Sequence, residues 1–352
     1  MWIDTPIFKQ DMDQIIYSNF IPWEILNRKT IFVTGATGLI GYYLISSLMY
    51  RNWKIKDKIR ILALVRDEDA AMEMFQEQRN AVPDQLFFIR GDLKNFPKIS
   101  DHIDYIIHAG GPTDSLFFAQ HPVETIDITL EGMNQILRLA KANQVESLVY
   151  LSTMEVYGTY LRELKIKENF PSYINTIVSR NSYPESKRLC ENLCAAFFSE
   201  YQVPAKVIRL TQTFGPGIRK TDQRVFAQFI RAYLNKENIC LVTEGKTKRS
   251  YLYLSDAVTA ILTVLLKGKP GEAYNAANET TYCSIRQMAD MIACEISHGG
   301  ISVEVHLTNK NKVIQYLPTA YINLDTQKLQ GLGWTWRVDL KNSFLRTIQC
   351  MK

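Results

Sequence analysis

Short apolar runs alternate along this chain with longer stretches whose apolar positions recur every three or four residues. Residues 30–34, 60–65, 86–89, 105–108, 148–152 and 206–210 read as strands. Helical stretches lie between them, notably one running through Met49 and another over 123–143. Strands that are nearly continuously apolar and separated by helices predict a parallel sheet covered on both faces, an α/β doubly wound fold. Beyond Leu210 the order loosens at Gly215, Pro216 and Gly217, which points to a smaller C-terminal α/β lobe. A strand at 250–254 and a helix at 256–266 are expected to return to the main sheet.

Ahead of this pattern, Ile7, Phe8, Met12, Ile15, Ile16 and Phe20 recur at helical spacing, and Ile21, Trp23, Ile25 and Leu26 follow Pro22. The polar side of this extension carries Asp4, Asp11 and Asp13 and little positive charge, so it suits packing on the parent domain or a second subunit better than lying on a membrane. The expected division is therefore a helical extension at 1–28, a main domain at 29–212 with about 250–278, and a smaller lobe from 213–249 and 279–352.

Between the first strand and the first long helix stands Thr34-Gly-Ala-Thr-Gly-Leu-Ile-Gly41. Gly35 permits a tight turn, Gly38 lets backbone approach a pyrophosphate, and Gly41 lets helix and strand pack closely. The amides of Thr37, Leu39 and Ile40 then face the anion at a helix N-terminus. This is the phosphate turn of a Rossmann-type NAD(P) domain. The second strand ends at Arg66-Asp67, where an acidic residue accepts the ribose hydroxyls of NAD and an arginine suits the 2′-phosphate of NADP. Arg66 favours NADP, whereas a register one residue on would put Asp67 there and favour NAD. Asp92 and Leu93 follow the third strand and are placed to touch the adenine. Ala109, Gly110 and Gly111 follow the fourth, where small residues let a dinucleotide pass, and His108 reads as structural.

Tyr183-Pro-Glu-Ser-Lys187 carries the reaction chemistry. Pro184 fits the first turn of a helix, which puts Tyr183 and Lys187 one turn apart on the same face. A neighbouring ammonium and an oxidised nicotinamide would lower the phenol pKa from its ordinary value near 10 and make Tyr183 a general base. Lys187 would also hold the nicotinamide ribose. Thr153, after Ser152 at the end of the fifth strand, offers a hydroxyl to hold the substrate oxygen.

Composition narrows the partners. Apolar residues make up 46% of the 352, charged residues 22%, and the net charge is +5, which suits an anionic small molecule and argues against nucleic acid. No apolar run reaches the roughly 18 residues of a membrane span, and no signal-peptide core opens the chain. The six cysteines show no CxxC spacing, so a reducing cytoplasm is expected and no metal ligands are assigned. Cys190 and Cys194, one turn apart, read as packing. Arg219, Lys220, Lys246 and Lys248 either steer a diphosphate or form a solvated loop. Tyr157 and Tyr173 either line the pocket or fill the boundary between lobes.

Together these motifs resemble the extended short-chain dehydrogenase/reductase superfamily, the nucleotide-sugar epimerases, dehydratases and decarboxylases. The resemblance runs from Thr30 to the C-terminus and includes Asp325-Thr-Gln-Lys-Leu-Gln-Gly-Leu-Gly-Trp334. It implies a C-terminal lobe that clamps a nucleotide sugar, a 4-keto intermediate, and a homodimer built on the Tyr183 helix and the long helix before it. The chain looks most like the UDP-glucuronate decarboxylases. Leu151-Ser-Thr-Met-Glu-Val-Tyr-Gly158 is similar to their STSEVYG, and Arg180 stands where they carry an arginine just before the tyrosine. Gly215-Pro216, Asp222-Gln-Arg224-Val225 and Thr247-Lys-Arg249-Ser-Tyr-Leu-Tyr are similar to their GPRM, DGRV and TRxFxYV.

By that resemblance Glu155 acts in acid/base or water-positioning chemistry, Arg249 holds the sugar ring or its carboxylate, and Arg224 reaches the nucleotide. The departures are Met154 for a serine or an aspartate, Gln212 for an asparagine, Gly217 for an arginine, and no late arginine in 315–321. Arg66 in place of an acid leaves open a second reading, an NADPH-dependent reductase of a nucleotide-activated keto sugar.

Overall fold

A computed structural model describes residues 5–307 and 319–351. Asp4 and positions 315–318 of the late-arginine segment lie outside the described residues. The first strands are β1 (Thr30–Thr34), β2 (Arg60–Val65), β3 (Leu86–Arg90), β4 (Tyr105–His108), β5 (Ser147–Thr153), β6 (Lys165–Ile166) and β7 (Ala205–Leu210). They are followed by β8 (Gln212–Phe214), β9 (Ile239–Leu241), β10 (Lys248–Tyr253), β11 (Ala273–Ala276), β12 (Asn278–Ser284), β13 (Val303–Val305) and β14 (Tyr321–Leu324).

Among the described residues, seven strands form one parallel sheet in the order β11-β7-β5-β4-β1-β2-β3. Residues of β1, β2, β4, β5 and β7 are almost all buried, as a sheet covered on both faces demands. One face packs the helices Leu39–Ile55 and Leu254–Lys267, the other the helices Pro122–Asn143 and Ser182–Tyr201. The strand order reverses at β1, which pairs with β2 on one side and β4 on the other. Connections leaving β1 and β4 diverge there and open a crevice beyond the strand ends.

The expected return of the 250–254 strand to this sheet is not what occurs. β10 sits in a second sheet, ordered β12-β10-β14-β6 with β8 beside β10. The helix Leu254–Lys267 does return to the main sheet, and β11 closes the sheet edge against β7. β10 alternates its side chains like any strand, so only its partner in space assigns it to a sheet. Lys206 anchors the returning helix from inside. Its Nζ donates to Leu265 O at 2.8 Å and to Ser147 Oγ at 2.6 Å, and burial brings its pKa down to about 8.

The N-terminal helix, Pro6–Ile16, packs on the main domain through Phe8, Met12, Ile15 and Ile16. One reading of its polar face needs correcting, because Asp11 is fully buried. Its carboxylate accepts from the hydroxyls of Tyr43 and Tyr253, the latter at 2.6 Å, and from Arg346 Nη1 at 2.6 Å. Helical spacing places residue 11 between Phe8 and Ile15 on the apolar side, and three polar partners meet it there.

Candidate active site

The glycine turn is shaped by near-contacts that leave no room for side chains. Gly35 has φ +70°, and a Cβ there would lie 2.6 Å from the backbone of Ala109. A Cβ on Gly41 would lie 2.1 Å from Gly35 O. Gly38 N donates to Gly35 O at 3.0 Å and closes the turn. The helix Leu39–Ile55 then begins with no side chain capping it, so its first amides, including those of Leu39 and Ile40, point free into the crevice. Across the crevice, Gly110 N donates to Thr34 Oγ1 at 3.0 Å, and that hydroxyl shares a 2.7 Å hydrogen bond with His108 Nδ1. Burial and the nearby Lys187 charge drive the His108 pKa down to about 3, so the ring is neutral and structural. A side chain on Gly111 would meet open space. The crevice is thus a glycine-lined cradle running from Gly35 to Gly111.

Its far end holds Arg66, which is exposed just past β2. Asp67 is occupied otherwise: its carboxylate caps the helix Glu68–Met74 by accepting from Ala70 N at 3.0 Å. Asp92 also faces its own loop, accepting from Lys94 N at 2.8 Å and Asn95 N at 2.6 Å, and these bonds hold its carboxyl below the usual range. Leu93 is buried against Gly110 and Gly132.

At the other end the sheet and the helix Ser182–Tyr201 bring Thr153 from a distant part of the chain beside Tyr183 and Lys187. Lys187 Nζ donates to Leu151 O at 2.8 Å and lies 4.6 Å from the Tyr150 ring and 5.9 Å from the Tyr183 ring. Burial lowers its pKa to about 8. The Thr153 hydroxyl stands close enough to Tyr183 to lower its pKa, and it also accepts from Glu155 N at 3.2 Å. The expected acidification of the phenol needs correction for the chain by itself. Burial and the Glu155 charge push the Tyr183 pKa up, and they outweigh the Thr153 hydroxyl and Arg224, which pull it down. Of the two positive neighbours invoked from sequence, Lys187 is turned to the strand carbonyl, which leaves the nicotinamide.

Glu155, partly buried, is also held above the usual carboxylate range by burial, against the opposing pull of Arg180 and Arg249. Arg249 Nε is buried with no hydrogen-bond partner among the described residues. Arg224 is clamped by Asp222, Nη2 to Oδ2 at 2.5 Å. Phe118 was not singled out from sequence. It stacks on Tyr183 with ring centroids 4.8 Å apart and 8° between planes, and the Arg180 guanidinium lies 5.2 Å from its centroid. Nothing in its local pattern, on the short helix Ser115–Gln120, could have marked it.

Several residues left open are now placed. Tyr157 is buried at the lobe boundary, donating to Asn275 Oδ1 at 2.7 Å and accepting from Arg209 Nη1 at 2.7 Å. Tyr173 is exposed. Cys190 and Cys194 are buried between the helices Pro122–Asn143 and Ser182–Tyr201. Lys246 and Lys248 pair with Glu244 and Glu163. Met154 is buried, and its sulfur accepts from Thr211 Oγ1 at 3.3 Å. No described helix is long and apolar enough to cross a membrane.

Known proteins share this architecture. The chain is 28% identical to dTDP-D-glucose 4,6-dehydratase of Homo sapiens over 93% of its own length and 92% of the relative's. It is 26% identical to UDP-glucuronic acid decarboxylase 1 of Xenopus tropicalis over 83% of this chain and 66% of that one. Among solved structures it overlays the UDP-glucuronic acid 4-epimerase from Bacillus cereus, in complex with UDP-glucuronic acid and NAD, with a TM-score of 0.75. That overlay has 18% identity and covers 92% of this chain and 98% of that one. These relatives are a dehydratase, a decarboxylase and an epimerase, and they give the net-reductase reading no support. A model of the NAD dependent epimerase/dehydratase family matches residues 31–277, and the chain belongs to that family.

Proposed function

We propose that this protein converts a nucleotide-activated sugar through a 4-keto intermediate, with a uronic acid as the sugar and decarboxylation or 4-epimerisation as the outcome. The observation that carries this reading is the meeting of Thr153, Tyr183 and Lys187 beside the glycine cradle, with Glu155 and Arg249 next to them.

The cradle fits a dinucleotide, since a Cβ at Gly35 or Gly41 would close the turn, and open space lies at Gly111. Gly35, Thr37, Gly38, Leu39, Ile40 and Gly41 would hold the pyrophosphate, with Asp92, Leu93, Ala109 and Gly110 around the adenosine. Arg66 is exposed at the ribose end, with its charge felt by Asp92, while Asp67 caps a helix, and this supports NADP over NAD. When bound, the nicotinamide ring supplies the acceptor for a hydride from C4 and the source of the hydride that returns.

Thr153 and Tyr183 hold the C4 hydroxyl, and Tyr183 takes its proton as the ketone forms. The ammonium of Lys187, fixed on Leu151 O, holds the ribose hydroxyls and so orients the nicotinamide ring. In a 4-keto uronic acid the carboxylate is β to the ketone. The C5–C6 bonding pair therefore moves toward the ketone oxygen as carbon dioxide leaves. Glu155, held above the usual carboxylate range by burial, is placed to deliver a proton to C5. The orphaned Arg249 Nε offers a donor to an anionic substrate group, because leaving a buried donor unmade is costly and a carboxylate would satisfy it. Met154 has no proton to give where 4,6-dehydratases carry an aspartate, which weighs against elimination of water.

A homodimer through the helices Pro122–Asn143 and Ser182–Tyr201 is supported by exposed Val123, Ile126 and Leu189 on those helices. The six free thiols fit a reducing compartment.

The test is incubation with UDP-, dTDP-, GDP- and CDP-linked sugars and uronic acids in separate NAD and NADP arms, with products read by mass spectrometry. Loss of carbon dioxide or an isomer of unchanged mass from a uronic acid, absent in Tyr183→Phe, is expected. Gain of two hydrogens with stoichiometric consumption of NADPH, or turnover of neutral sugars alone, would overturn the proposal.

A further inference from the structure

Away from the crevice, β9 and β13 form a small parallel sheet of their own, with Glu304 in register with Cys240. Ile239 and Leu241 point into the lobe core, so Cys240 points outward. Glu304 and His306 share that outer face, two residues apart. One ligand atom from each of Cys240, Glu304 and His306 lies within 4.8 Å of the other two. Cys240 and His306 are exposed and Glu304 is half-buried.

The surroundings hold these groups in place. Asn238 Nδ2 donates to Glu304 Oε1 at 2.6 Å, and Asn238 Oδ1 accepts from Ser302 N at 2.9 Å. The second oxygen, Glu304 Oε2, lies 2.9 Å from His306 Nε2. His306 N donates to Leu241 O at 2.8 Å, which extends the ladder and fixes the backbone of the histidine. The Cys240 sulfur has only a long 3.9 Å approach to Asn238 O. A side-chain amide thus orients the carboxylate by one oxygen and leaves the other turned toward the imidazole, as outer-sphere partners do at metal centres.

We propose that Cys240, Glu304 and His306 form a surface site for a zinc-class divalent cation, with water as the fourth ligand. Zinc takes sulfur, nitrogen and oxygen at about 2.0–2.3 Å, which sets ligand atoms of a tetrahedron roughly 3.3–3.7 Å apart. Rotation of exposed side chains suffices to reach that spacing from the observed one. The mixed thiolate, imidazole and carboxylate set excludes the hard cations calcium and magnesium, which take oxygen. On binding, the thiol proton leaves to solvent, the imidazole proton passes from Nε2 to Nδ1 so that Nε2 can ligate, the Glu304–His306 hydrogen bond is exchanged for two bonds to the cation, and β13 is clipped to β9 through side chains as well as backbone.

The site lies outside the machinery for sugar conversion, so its test is independent of that function. Chelator-stripped full-length protein is titrated with cobalt(II), and the thiolate-to-metal charge-transfer absorbance is followed, then zinc is added in competition. One cobalt per chain with that band, displaced by zinc, is expected. Cys240→Ser should abolish the band, and His306→Ala, which removes a direct ligand, should weaken zinc binding by at least the roughly 10–100-fold that loss of an outer-shell partner costs. Cys294→Ser, at another exposed thiol, should leave both unchanged. Zinc should raise the melting temperature of the wild type and not that of Cys240→Ser. Absence of saturable binding would reduce the cluster to a surface ion pair beside a thiol. Binding that survives Cys240→Ser would place the metal elsewhere. Either result overturns the proposal.

Discussion

Tyr183 and Lys187 show how two residues of ordinary chemistry are moved off their usual behaviour by where they sit. Both are buried, and burial disfavours the charged form of each, raising the phenol and bringing the ammonium down to about 8. The two shifts work against the proposed chemistry, in which Tyr183 gives up its proton while Lys187 keeps its own. Added positive charge at a bound nicotinamide would lower the phenol but also disfavour the ammonium, so the Leu151 carbonyl, which accepts more strongly from the charged lysine than from the neutral amine, helps to keep the proton on Lys187. A consequence follows for pH. Lys187 carries its proton below about pH 8 and loses it above, so kcat/KM should fall on the alkaline side with an apparent pKa near 8. In Lys187→Arg, whose charge does not titrate in that range, this limb should vanish even though overall activity drops. An alkaline limb unchanged in the arginine variant would show that another group sets it.

At the scale of elements, the N-terminal helix is held by a polar knot beneath an apolar face. Asp11 joins the helix Pro6–Ile16 to Tyr43 on the phosphate-turn helix, to Tyr253 at the end of β10 and to Arg346 on the C-terminal helix Leu340–Met351. Four segments distant in sequence depend on one carboxylate. Asp11→Ala leaves two hydroxyls and a guanidinium without their acceptor in the interior, a loss of about 3–5 kcal/mol. Urea denaturation should show that drop in the midpoint. Asp11→Asn, which keeps an acceptor oxygen, should lose clearly less. Equal losses in the two variants would mean that packing volume, not the hydrogen bonds, holds the helix.

At the scale of the molecule, Asp256 ties both chain ends to the domain core. Its carboxylate accepts from Arg337 N at 3.1 Å, Val338 N at 3.0 Å and Gln14 Nε2 at 3.1 Å, and the Trp334 indole donates to Asp256 O at 3.2 Å. Burial, with nearby Asp11 adding to it, raises its pKa from 3.8 to about 7. The folded protein therefore binds a proton that the unfolded chain has released between about pH 4 and 7. This contribution to stability is complete below pH 4 and disappears as the pH rises through 7. In Asp256→Asn the stability measured by denaturant across that range should lose this downward slope. A slope identical in wild type and variant would contradict the linkage.

Much of this protein was legible without coordinates. The strands and helices of the main sheet follow from apolar runs and their period, because a strand buried on both faces must be apolar throughout. The glycine turn and the Tyr183–Lys187 spacing follow from backbone freedom and helical geometry, both local properties that a few consecutive residues determine. What required the tertiary structure is whatever depends on partners far along the chain. The assignment of β10 to the second sheet, the burial of Asp11, the stacking of Phe118 on Tyr183 and the neutrality of His108 are of this kind. The cluster at Cys240, Glu304 and His306 belongs with them, since strand register alone puts residues over sixty positions apart onto one face. Period and turn chemistry act over neighbouring residues, whereas desolvation, charge and register act through space.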